Sequence, residues 1–258
     1  MTRPPASVLL ITVAALVSAA LQCALGIWQV QRLQWKLDLI ARVDARVSAA
    51  PVAPPGPAAW GGVDAASAEY LKVRATGRFL DERETLVQAV TDLGSGYWVL
   101  IPFVTDQGFT VLVNRGFVPP DFRNPITRSE NKAGGETAVT GLLRLSEPGG
   151  GFLRDNDPVA GRWYSRDVAA IAAAQRLDRA APYFIDADAT PNPGAWPVGG
   201  LTRISFSNNH LVYAITWFGL ALMALGGGWF VLFDWRRRGA EKSLEPPGGM
   251  LSEPGTAP

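Results

Sequence analysis

The sequence predicts a membrane protein of the α+β class: two transmembrane helices, N- and C-terminal, flanking a mostly antiparallel β extracytoplasmic domain with one or two helices. Three observations predict it. Two uncharged apolar runs, 8–28 and 210–233, stand near the ends of the 258-residue chain. Between them, short β-forming runs are separated by turn residues. Mean hydropathy is +0.09 although 18% of residues are charged, the mixture expected of apolar segments joined to a water-soluble body.

The first run, "VLLITVAALVSAALQCALGIW", has 21 residues, and the second has 24. At a rise of about 1.5 Å per residue, roughly 20 helical residues cross a hydrocarbon core of about 30 Å. Backbone in lipid must satisfy its own hydrogen bonds, which selects the helix. A cleaved signal peptide is the competing reading of the first run, with Arg3 before it and "SAA" at 18–20 as a cleavage site. The run continues past Ala20, however, and is longer than a usual signal core. Arg236, Arg237 and Arg238 directly follow the second run and predict a cytoplasmic flank. Both termini (1–7 and 234–258) are then cytoplasmic, and 29–209 lies in the periplasm of a bacterial inner-membrane protein. Ser18, Gln22 and Gly26 in one run, and Ala224 and Gly228 in the other, repeat at helical spacing where small residues let helices approach.

The body reads as strands over 70–79, 85–90, 97–105, 109–116, 136–145, 182–186 and 201–206. One Ala-rich helix is predicted over 165–177, with Ser165 as N-cap. A β sandwich or small barrel accommodates these elements most economically. The stretch "PVAPPGPAAWGG" (51–62) reads as a Pro/Gly linker, and 239–258 as a disordered tail.

Candidate functional residues gather where the two runs leave the membrane on the outer side. Trp28, Arg32 and Lys36 are four apart and share a face of a continuing helix. His210, the only histidine, opens the second run, with Tyr213 and Trp217 along the same stripe. Antiparallel spans bring Trp28 and His210 to similar depth. Histidine in a membrane segment costs free energy and neutral imidazole ligates metals, so this stripe could present a nitrogen to haem iron. A histidine bonded to Asn208 or Asn209, or a helix cap, is the plainer reading. In "VLVNRGFVPP", Arg115 suits a planar carboxylate such as a haem propionate, or else an internal ion pair. Arg203 is the second propionate candidate.

Composition removes other classes. A net charge of +1 gives no argument for nucleic-acid binding. One cysteine, Cys23, excludes an internal disulfide and CxxC chemistry, and one histidine excludes HExxH zinc sites. There is no G-x-S-x-G elbow, Walker A loop or GxGxxG, so the chain is not expected to be an enzyme.

Taken in order, "LGIWQVQRLQWK" (25–36), "VLVNRGFVP" (111–119), "FLRDNDPVAGRWYSRDVAAIA" (152–172) and "NNHLVYAITWF" (208–218), with two anchors around a β-rich body, resemble the surfeit locus protein family. These are the cytochrome c oxidase assembly factors, and the resemblance covers most of the chain. It implies a membrane-embedded assembly factor that binds haem a transiently and assists its insertion into oxidase subunit I. Haem a synthase would be the donor, and membrane lipid surrounds the anchors. The family's second-span histidine, His210 here, is implied as the iron ligand. A scaffold that holds subunit I without touching haem is the alternative.

Overall fold

The computed structural model describes residues 4–131, 135–190, 195–204 and 206–244. By its contacts the chain divides into two units, Met1–Leu39 with Phe206–Pro258, and Ile40–Ser205.

The first unit is built from two long helices, α1 (Ala6–Ser48) and α3 (His210–Leu244). Both are long and apolar enough to cross a membrane. Only 6% and 11% of their most apolar stretches are buried, which separates them from core helices of a soluble protein. They pack antiparallel: Gly26 lies against the Phe218 ring near one end, and Gly228 against Ala15 near the other. A Cβ on Gly26 would stand 2.8 Å from that ring, and one on Gly228 would stand 2.9 Å from the Ala15 methyl. Ala19, Ala214 and Ala221 are buried in the same seam. The small-residue rows thus include the contact face, as close approach in lipid requires.

Both helices outrun the apolar spans read from the sequence. The segment 239–244, expected as disordered tail, continues α3; residues 245–258 lie outside the described residues, as does Arg3. Ion pairs Arg238–Asp234 (2.9 Å) and Arg237–Glu241 (3.2 Å), each one helical turn apart, support the extension.

The second unit is a β body of one mixed six-stranded sheet. Its strands are β1 (Lys72–Phe79), β2 (Thr85–Thr91), β3 (Gly94–Thr105), β4 (Thr110–Val118), β5 (Thr137–Leu145) and β8 (Ala180–Ala187). A two-residue ladder, β6 (Gly150–Gly151) and β7 (Arg154–Asp155), stands apart. The order is β1-β5-β8-β4-β3-β2, and β1 pairs again with β3 through Phe79↔Phe103. The pairings therefore close a ring, the small barrel among the expected folds. One pair, β4–β8, is parallel; the other pairings in the sheet are antiparallel.

The parallel pair explains the unbroken apolar text of 111–113. Every residue of β4 is buried, because both its faces are covered. Val111, Val113, Ala181, Tyr183 and Ile185 face one core with Phe103 and Phe109. Leu112 and Phe184 face the other, which Ile171 and Val168 of α2 (Val168–Ala174) close.

Three sequence expectations for the body are corrected. The 51–62 segment is folded, not a linker: Val52 bridges Val73, and Pro57–Gly62 is a 3₁₀ turn. Trp60 stacks edge-on to Phe109, and the Pro55 carbonyl accepts from the Tyr183 hydroxyl at 2.6 Å. The N-cap of α2 is Asp167, whose carboxylate accepts from Ala170 N–H; Ser165 instead donates to the Glu147 carbonyl at 2.6 Å. Residues 201–204 form no strand, because β4 takes its outer bridge from Val198 (Phe117↔Val198), not from them; Ser205 lies outside the described residues.

Candidate functional site

The helical unit carries the predicted histidine. His210 is the first residue of α3, and its imidazole is half-buried. Its Nδ1 lies 2.7 Å from Oε1 of Gln29 on α1. Neither Asn208 nor Asn209 supplies that partner, contrary to the plainer sequence reading. Gln29 is itself buried, at 9% exposure. An amide oxygen can only accept, so Nδ1 is the donor in this contact, and in the neutral ring Nε2 is the nitrogen left with a lone pair. An acceptor facing Nδ1 is the arrangement that orients metal-ligating histidines. The residues present therefore fit a single imidazole ligand to iron.

The aromatic neighbours divide. Trp217 is half-buried on the same face as His210, whereas Tyr213 is 53% exposed at its edge. Trp28 reaches the depth of His210, since its neighbour Gln29 bonds the imidazole, but it faces outward at 51% exposure. Beyond Trp28, the Arg32 guanidinium stacks 4.5 Å over the Trp35 ring, and the Lys36 ammonium lies 5.0 Å over Phe206. Gln29 went unread, although Gln22, Gly26 and Gln29 run down one face at i, i+4 and i+7, which is the signal that could have found it.

The body holds the other two candidates. Arg115 is 8% exposed, stacked 5.0 Å over Phe79 and 4.0 Å from the Asp81 carboxylate. Burial pushes its guanidinium below the usual value, against the opposing pull of Asp81 and Glu84. This is the internal ion pair of the two readings given for it. Arg203 is exposed and pairs with Asp92. Gly116, next to Arg115, has φ +130° and lies against the Val198 carbonyl, where a Cβ would collide.

A buried polar cluster in the body was not read from the sequence. Asp186, 4% exposed, accepts from Asn114 Nδ2 at 2.7 Å, Arg144 Nη1 at 3.1 Å, Arg166 Nη1 at 3.2 Å and Thr202 Oγ1 at 3.0 Å. Strand alternation builds it: Asn114 follows Leu112, and Asp186 follows Phe184, on the same faces of the parallel pair. Burial alone lowers the Arg144 value, but Asp186 and Glu69 outweigh it and hold that guanidinium above its usual value. Burial likewise raises Glu147, but Arg166 outweighs it and keeps the carboxyl below the usual range.

A model of the SURF1 family matches residues 16–222, which include α1 from its third turn, the whole β body and the first third of α3. The chain belongs to the SURF1 family. This family is known for cytochrome oxidase assembly. The rat protein "Surfeit locus protein 1" is 39% identical over 231 residues, 83% of this chain and 73% of its own. Human "Surfeit locus protein 1" is 38% identical, over 81% of this chain and 73% of its own. A "SURF1-like protein" of Monosiga brevicollis is 38% identical over 85% of both chains. The SURF1-family match includes the His210–Gln29 pair and the Asp186 cluster alike.

Proposed function

We propose that this SURF1-family chain is an inner-membrane assembly factor for haem-copper cytochrome c oxidase, holding haem a as cargo for insertion into subunit I. Both termini are cytoplasmic and the β body is periplasmic. The observation that supports this reading is the His210–Gln29 pair in the helical hairpin. Gln29 holds Nδ1–H, so the free lone pair of Nε2 is the iron ligand. Trp217, Tyr213 and Trp28 supply aromatic surface near that depth. One histidine gives one protein ligand to iron, which suits release to subunit I. Haem a synthase is the donor. The role is non-catalytic.

The test is the absorption spectrum of protein purified from cells making haem a. His210→Ala is expected to lose most of the haem, and Gln29→Leu to retain haem with lower occupancy and a shifted Soret band. Unchanged haem content in His210→Ala would remove the histidine from the function. A scaffold that docks on subunit I without binding haem is the second reading. It is favoured by Phe152 (93% exposed) and Leu153 at the tip of the β6–β7 hairpin. That reading expects normal oxidase assembly with His210→Ala.

A further inference from the structure

The β body contains a cavity of about 690 Å³ that the proposed function does not use. Its wall includes Trp98, Arg144, Arg166, Asp186 and the Arg203–Asp92 pair. That volume is in the range of small-molecule sites. The free hydrogen-bonding capacity of the wall decides what it can take.

The buried acid is already saturated. Asp186 Oδ1 accepts from Asn114 and Arg166, and Oδ2 from Arg144 and Thr202. Arg166 is committed too: its Nε and Nη2 clasp Glu147 at 3.0 and 2.5 Å. Two cations keep unused donors. Arg144 directs Nε to Glu69 and Nη1 to Asp186, while its Nη2 reaches only Glu147 at 4.0 Å, beyond hydrogen-bonding range. Among the described residues Arg203 pairs with Asp92, and both side chains are at least 70% exposed. Pairs so exposed contribute little and are readily exchanged for another anion. The remaining capacity is therefore that of a donor and a cation. Val90 and Leu201 add apolar wall beside the Trp98 ring.

We propose that this cavity is a binding site for a small organic anion, a carboxylate carried on a flat apolar body. Arg203 and Arg144 Nη2 engage the carboxylate, and the Trp98 ring covers the flat face. Guanidinium groups suit carboxylate geometry, and charge-assisted bonds of this kind are the strong ones. The same chemistry is offered by a free aromatic acid and by a propionate of a porphyrin.

The test uses the full chain in lipid nanodiscs, titrated calorimetrically with 2-naphthoate and with its neutral isostere 2-naphthamide. The acid is expected to bind at least about ten-fold more tightly than the amide, from the charge-assisted contacts alone. Arg203→Ala is expected to weaken the acid by a similar factor, with Arg203→Lys intermediate. Arg203 is exposed, so this variant keeps the fold; Trp98→Leu, read against 2-naphthoate and acetate, separates the loss of ring contact from the loss of charge. His210→Ala is expected to leave naphthoate affinity unchanged, so this site and the proposed iron ligand fail independently. Competition by iron-free protoporphyrin assigns the carboxylate to a porphyrin, and its absence to a free acid. Equal affinity for acid and amide, or unchanged affinity in Arg203→Ala, overturns the proposal.

Discussion

The helical hairpin and the β body solve opposite packing problems. In the body the large apolar side chains are inside: Phe103, Phe109, Phe117, Phe184 and Tyr183 are fully buried. In the hairpin the seam is made of Gly26, Ala19, Ala214, Ala221 and Gly228, while Leu10, Trp229 and Phe230 face outward. The polar groups differ as well. The body gathers arginines and carboxylates into a network around Asp186, whereas the hairpin joins an amide, Gln29, to the His210 ring. This is the difference expected between a unit solvated by water and one solvated by lipid. In water the gain comes from hiding large apolar surface; in lipid that surface costs nothing, so contact distance sets the packing. Charge is tolerable beside bulk water and costly at bilayer depth.

The sharpest way to break the comparison is to strike the charge network. Asp186→Ala leaves Arg144 and Arg166 short of a buried partner and is expected to destabilise the body by about 3–5 kcal/mol. The urea midpoint of the β signal measures it, and the helical signal of the hairpin should not move with it. A converse strike is Gly26→Leu, which drives a side chain into the Phe218 ring. Overpacking of this kind costs about 1–3 kcal/mol. Cross-linking between cysteines placed on α1 and α3 should fall, while the body midpoint stays put.

A milder probe is Tyr183→Phe, which removes the bond to the Pro55 carbonyl. The expected loss is about 1 kcal/mol, together with faster proteolysis within 51–62. The smallest expected effect is in pH. Glu147 is held below its ordinary 4.5, so its contribution is present above that value and is lost as pH falls through the lowered folded one. Stability measured at successively lower pH below 4.5 should therefore decline, with a shallower slope in Glu147→Gln.

Much of this architecture is legible in the text of the chain, and the illegible parts share a cause. Both spans and six strands follow from local period and composition, because burial imposes its pattern on consecutive residues. The Pro/Gly reading of 51–62 fails because Trp60 and Pro55 are held by Phe109 and Tyr183, far along the chain. The strand expected at 201–206 has the right residue types, but Val198 already occupies the edge it would need. Ser165 looks like a cap and is spent on the Glu147 carbonyl. At the candidate site the histidine was visible as a lone polar residue opening an apolar run. Its partner was not, since Gln29 lies 181 positions away and polar residues near span ends are ordinary. The Asp186 cluster draws on five separate segments, and no single one reads as unusual.

Strand β8 enters the ring between β5 and β4, although it is the last strand made. Until residue 187 has left the ribosome, β5 can lean only on β1, and β4 lacks its β8 neighbour. Closure therefore waits for the end of the domain, and only 22 residues separate that strand from the start of α3. Closure of the β body and emergence of α3 thus fall within the same short interval of biosynthesis.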